Sequence, residues 1–180
     1  MYQLLIFLSS TVILITSLPL GCDSPSVRDR GVQCVNQLTP MFAKMTMIKS
    51  QGFMNGNFTK ELSDLCAASL DCFKTLQNCA SIDATLILNL DGVCDLYGFI
   101  NGKFSDCVAK LENSRVDSKC INGFFLNPVY TDAKNAKARC DKLKDDGKCV
   151  KKRAESVCSK DKANDFEDHL DGQLRRFSCY

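Results

Sequence analysis

Along most of this chain the apolar positions return every three or four residues, the spacing that places them on one face of a helix. Cys34, Leu38, Met41, Met45 and Ile48 step by four, three, four and three. They form one stripe, with Thr39-Pro40 as the expected point of interruption or restart, since proline suits a first helical turn and not a helix interior. Leu62, Leu65, Ser69, Cys72, Phe73, Leu76 and Cys79 trace a second stripe. Phe166, Leu170, Leu174 and Phe177 trace a third, which Gly172 weakens by about 1 kcal/mol relative to alanine. The stretches "DATLILNLDGVCDLYGFI", "SDCVAKLENS", "DAKNAKARCDKLKDD" and "CVKKRAESVC" also read as helices. Strict alternation is rare and no strand-turn-strand signal stands out. The pattern predicts an all-α, single disulfide-rich domain of about five to seven short helices, with no Pro-, Gly- or Ser-rich linker to divide it.

Two breaks in the helical pattern look alike. "GFMNGNF" at 52–58 and "GFINGKF" at 98–104 share Gly-Phe-x-Asn-Gly-x-Phe. A duplicated domain would keep its cysteines in step, yet the next cysteine falls eight residues after the first copy, at Cys66, and three after the second, at Cys107. The copies therefore read as punctuation: Asn55-Gly56 and Asn101-Gly102 supply positive φ to end a helix, and Thr59 or Ser105 caps the next.

The N-terminal stretch has a different character. Residues 1–21 carry no charged side chain, and Leu4 to Leu20 is almost continuously apolar. This predicts a secretory signal peptide, with residues 22–180 as the mature domain. The alternative, a retained anchor, is disfavoured because the run falls short of a spanning helix and ends in Pro19 and Gly21.

Twelve cysteines follow: Cys22, Cys34, Cys66, Cys72, Cys79, Cys94, Cys107, Cys120, Cys140, Cys149, Cys158 and Cys179. An even number behind a secretory leader predicts a disulfide framework, because oxidised sulfur persists outside the cytosol. Structural zinc would want thiols about two to four residues apart, whereas the closest pair, Cys66 and Cys72, is six positions apart. On one helix Cys66, Cys72 and Cys79 stand too far apart to bridge one another, roughly 9 to 10 Å for each neighbouring pair at 1.5 Å per residue, so each must bond elsewhere. Cys140 and Cys149 are different, since a turn at "DDGK" would fold one segment back on the other. The full connectivity stays open among on the order of ten thousand pairings.

The order "LCAASLDCFKTLQNC", Cys94, "GKFSDCVAKL", Cys120, then Cys140, Cys149 and Cys158 in a basic region resembles a nematode family of secreted proteins. Its members carry one or two copies of a twelve-cysteine domain of unknown function. The resemblance covers about residues 34 to 179, implies an extracellular domain, and supplies no catalytic residues.

Candidate chemistry is sparse. His169, in "FEDHLDGQL", is the one histidine and so the one candidate for the commonest general base. Asp168, Asp171 and Ser178 lie near it in sequence, but no nucleophile turn accompanies them, and the plainer reading is a surface histidine on an acidic helix. A secreted phospholipase pattern needs adjacent cysteines, and there are none. Asn89, Asp91 and Asp95 lack the other ligands of a calcium loop, so Asp91-Gly92 reads as a turn or helix end. No metal or cofactor is expected.

The net charge of +2 excludes a dominant polyanion footprint, but residues 134–153 hold nine Lys and Arg against three Asp. Lys144, Lys148, Lys151 and Lys152 would line one helix face if Gly147 does not break it, a basic patch suited to sulfated glycan or acidic headgroups. Its plainer reading is a solvated face. Nucleic acid is not an expected partner. Met41, Met45, Met47 and Met54 suit either a plastic ligand lining or plain core. Asn57-Phe58-Thr59 is a glycosylation acceptor that would place Asn57 on the surface. The sequence as a whole predicts a secreted, non-enzymatic helical domain that binds an extracellular protein or small ligand. The alternatives are a small hydrolase with an unrecognised site and a glycan-binding surface protein. No membrane span remains after signal cleavage.

Overall fold

A computed structural model describes residues 24–51, 56–77, 79, 84–114, 119–125 and 136–180; the leader at 1–21, Cys22 and Met54 lie outside the described residues, as do the side chains of 49–51 and 56–58. Seven helices and no strand occur among the described residues: α1 Pro25–Gln51, α2 Gly56–Lys74, α3 Ala84–Asn101, α4 Ser105–Asn113, α5 Lys119–Phe125, α6 Ala136–Val157 and α7 Lys160–Arg176. The all-α expectation holds.

α1 begins where Ser24 accepts a hydrogen bond from the Val27 backbone through its hydroxyl, with Pro25 at the first helical position. Its predicted stripe, Cys34 through Ile48, is buried throughout. The expected restart at Pro40 does not occur, and the helix runs through it. Pro40 and Asn36 are both exposed, so the ring and the backbone carbonyl that loses its partner face solvent. α7 starts on Ser159, whose hydroxyl accepts from Lys162 N at 3.2 Å. It ends with Ser178 at φ 53, while Ser178 N bonds Arg175 O and Cys179 N bonds Leu174 O. That left-handed stop turns Cys179 back toward its bridge partner.

α6 corrects a second expectation. The two basic segments form one continuous helix through "DDGK", because Gly147 is a packing glycine and not a turn: a Cβ there would lie 2.6 Å from Leu170 Cδ2. The α6/α7 pair closes on that contact, with Leu143, Val150, Ala154, Ala163 and Phe166 buried around it. Gly172 has nothing within 4 Å of its own Cβ position. Gly172→Ala is therefore expected to raise stability by about 1 kcal/mol. Gly147→Ala should instead lose about 1–3 kcal/mol to overpacking. Urea unfolding of the oxidised proteins checks both signs.

α1 packs on α2 and α2 on α3, while α6 receives α4, α5 and α7; α3 touches α4 and α7. The bridges follow the same division. Cys34–Cys72 joins α1 to α2 and Cys66–Cys94 joins α2 to α3. Cys107–Cys158 joins α4 to the end of α6, Cys120–Cys149 joins α5 to α6, and Cys140–Cys179 joins α6 to the third residue beyond α7. Cys79 is also disulfide-bonded. Cys66 and Cys72 each reach another helix, as helix geometry required. Cys140 and Cys149 do not serve a local turn, for the rigid rod of α6 carries them to different partners.

All six cysteines after Cys94 bond to one another, so no bridge crosses from the first half of the chain to the second. An engineered protease site at the exposed Gly102-Lys103 turn is expected to yield two chains that part under denaturing, non-reducing conditions. A product that separates only on reduction would contradict this pairing.

The second copy of the repeated pattern does separate two helices, with α3 ending at Asn101 and α4 starting at Ser105. Its details differ from expectation. Neither Asn101 nor Gly102 takes a positive φ. Gly102 N continues the helical ladder to Gly98 O at 2.9 Å, so no left-handed stop is needed. Ser105 is the first helical residue behind an uncapping Phe104, and its hydroxyl donates to Gly102 O at 3.0 Å. α2 begins at Gly56, which places Thr59 inside the helix, buried, and not at its cap. Asn101 Nδ2 donates to Thr59 O at 2.6 Å, which ties the middle of the second copy to the first turn of α2.

Candidate functional site

The predicted lysines all lie on α6. Lys148 and Lys152 are exposed, Lys144 and Lys151 half-buried, and Lys151 pairs with Glu167 of α7 at 2.6 Å. Asp141 and Asp145 are exposed on the same helix, and Asp141 is engaged by Lys137 at 2.8 Å. The backbone of Asn57 is in the first turn of α2. Met41 and Met45 are core, whereas Met47 is 38% exposed, so the methionines do not share one lining.

The dense polar constellation lies elsewhere, between α3 and α7. Asp91 and Asp95, one helical turn apart on α3, both face α7. Arg176 donates from Nε to Asp91 at 2.8 Å and from Nη1 to Asp95 at 2.9 Å. Gln173, fully buried, donates from Nε2 to the same Asp95 oxygen at 2.7 Å and to Gly92 O at 3.3 Å. Phe177 fits against Gly92, where a Cβ would lie 2.6 Å from its ring, and the Arg139 guanidinium of α6 lies over that ring, 5.0 Å from its centroid. Asp91-Gly92 is therefore mid-helix: the expected turn is a contact glycine next to an ion-pairing carboxylate.

His169 belongs to this seam, which overturns its reading as a surface residue. Its side chain is 5% exposed, its ring stacks on Phe99 at 4.2 Å, and Nδ1 is 3.6 Å from Asp95. Asp168 and Asp171, its sequence neighbours, are exposed. Burial holds the imidazole down to about 4, with Asp95 opposing and Arg176 reinforcing that effect. Nε2 is buried and has no hydrogen-bond partner. Its helix is dominated in sequence by charged residues, and the hint of burial is the register His169 shares with Phe166, three residues before it, and Gln173, four after.

A histidine whose folded value lies below its unfolded 6.5 binds its proton more readily in the unfolded chain. Stability is therefore full above about pH 6.5 and is lost as pH falls toward 4, by about 3 kcal/mol in all. Unfolding at pH 7 and pH 4.5 is expected to show most of this loss in the native protein and little of it in His169→Gln.

Among the described residues no cluster of three His, Cys, Asp or Glu side chains is placed to hold a metal ion, and no helix is long and apolar enough to cross a membrane. What the geometry defines is a cystine-stapled, all-α domain with a partly buried polar seam. Residues 22–179 match the family model described as "Domain of unknown function (DUF19)", and the chain belongs to that family. No curated protein and no solved structure matches the chain.

Proposed function

We propose that the chain is a secreted, oxidised helical domain that acts by binding an extracellular protein or small ligand and not by turnover. The observation that carries this reading is the bridge set. Five described disulfides tie every one of the seven helices or the residues just beyond it, a framework suited to an oxidising compartment. The burial of His169 supports the second half of the reading, since a general base must reach a substrate proton and this imidazole is packed behind Phe99. A glycan-binding role has support of its own in Lys148 and Lys152, which are exposed on α6 and have no carboxylate within ion-pairing distance among the described residues. Expression of the whole sequence through a eukaryotic secretory route tests the address: the medium is expected to hold thiol-free protein lacking residues 1–21. Protein kept in the cell with Met1 intact would overturn it. Salt-dependent retention on heparin, lost when Lys148 and Lys152 become glutamate, would select the glycan reading. Unretained protein would leave capture from extracellular fluid as the route to its partner.

A further inference from the structure

We propose that the seam between α3 and α7 is an acid-released latch: on acidification the two covalently closed halves loosen from each other there while each keeps its own bridges. Every described bridge lies within residues 34–94 or within 107–179, so the hold of one half on the other is non-covalent apart from the chain at 102–104.

That hold has two unlike ends. At the chain crossover it is aromatic, with Phe99 on Phe104 at 4.9 Å and Phe104 on Phe166 at 5.6 Å. Phe104 is fully buried in the connecting turn, which makes this end the pivot. At the other end it is ionic and polar: Asp91 and Asp95 against Arg176 and Gln173, with Phe177 on Gly92. His169 stands between the ends, on Phe99 and beside Asp95.

A second proton on this imidazole has no good place. The carboxylate oxygen beside Nδ1, Asp95 Oδ2 at 3.6 Å, already accepts from Gln173 and Arg176, and Nε2 has no acceptor. The new charge would also join the Arg176 cation in the same small space. Facing the ring from α3 are Asp95 and, beyond it, Asp91; α7 itself contributes Arg176. On the α6 side of α7 the ions are Lys151 and Glu167, paired with each other, and Arg139 lies over Phe177. None of these sets an acceptor within hydrogen-bond distance of His169, the Asp95 carboxylate standing at 3.6 Å, so protonation is met by opening the polar end about the aromatic pivot.

Hydrogen exchange of the oxidised protein at pH 7 and 4.5, corrected for intrinsic rates, tests this. Segments 91–99 and 169–177 are expected to exchange faster at pH 4.5 by a factor on the order of tens, while segment 59–73 of α2 keeps its protection. His169→Phe, which keeps the ring stack and cannot protonate, should abolish the difference. An unchanged seam, an equal rise in α2, or a native response in His169→Phe would each overturn the proposal. Should His169→Phe fail to fold, Arg176→Met replaces it. Removing the cation that opposes the imidazolium lets the closed seam hold the proton, so the rise from pH 7 to pH 4.5 is expected to shrink, and an undiminished rise would count against the latch.

Discussion

Phe166→Ala is expected to lower the stability of the oxidised protein by about 3–5 kcal/mol, the range for emptying a large aromatic site in a tightly packed core. Phe166 is fully buried on α7 and meets rings from three other parts of the chain: Phe124 at 5.0 Å and Phe125 at 6.2 Å from α5, Phe104 at 5.6 Å from the turn, and Phe99 at 6.3 Å from α3. Few neighbours can collapse into the vacated space. Phe104 is fixed in a connecting turn, Phe99 is stacked on His169, and α5 is a seven-residue helix that owes its place to this packing and to Cys120–Cys149. Phe166→Leu keeps most of the volume and should cost under about 1.5 kcal/mol. Urea unfolding at pH 7 without reductant is the measurement. A loss below about 1 kcal/mol for the alanine variant would mean that the ring cluster is not the shared centre of the two halves.

That centre was partly legible in the sequence. Helical spacing identified the buried faces of α1, α2 and α7, since a stripe such as Cys34, Leu38, Met41, Met45 and Ile48 has one way to leave water. The rule that neighbouring cysteines of one helix cannot pair also carried through. What the spacing did not reveal depends on partners distant in the chain. Gly92 and Gly147 have the same local look as turn glycines, and only Phe177 and Leu170, 85 and 23 positions away, distinguish a contact from a break. Pro40 survives within α1 because it faces water, a fact of helix phase more than of composition. His169 is hidden for the opposite reason. It lies beside the Phe166–Leu170 stripe and between the exposed Asp168 and Asp171, and only Gln173, a polar residue in the core, widens the buried face to its side of the helix. The seam itself has no sequence signature, because it pairs residues 91 and 95 with residues 173 and 176 across the whole second half.

Replacing Cys107 and Cys158 together by alanine is expected to cost about 4 kcal/mol, the loop-closure effect of a bridge with a sequence separation of 51. The same treatment of Cys66–Cys94, at a separation of 28, should cost about half a kcal/mol less on chain entropy alone. Local structure is expected to widen that difference. α2 and α3 are long helices with extensive mutual packing and would stay together without sulfur, whereas α4 spans nine residues, too few to persist as a helix unaided. Its inward face is Cys107, Val108 and Leu111, so losing the bridge removes a covalent tie and an apolar contact from a three-residue footing. The double variant avoids leaving a lone thiol, so the measured change reports the bridge and not a new reactive group. Hydrogen exchange across 105–113 should then rise before any global unfolding, while 91–99 keeps its protection at pH 7. If α4 stays protected and the denaturation midpoint does not move, α4 must be held by packing alone, and the bridge would be a consequence of the fold and not one of its supports.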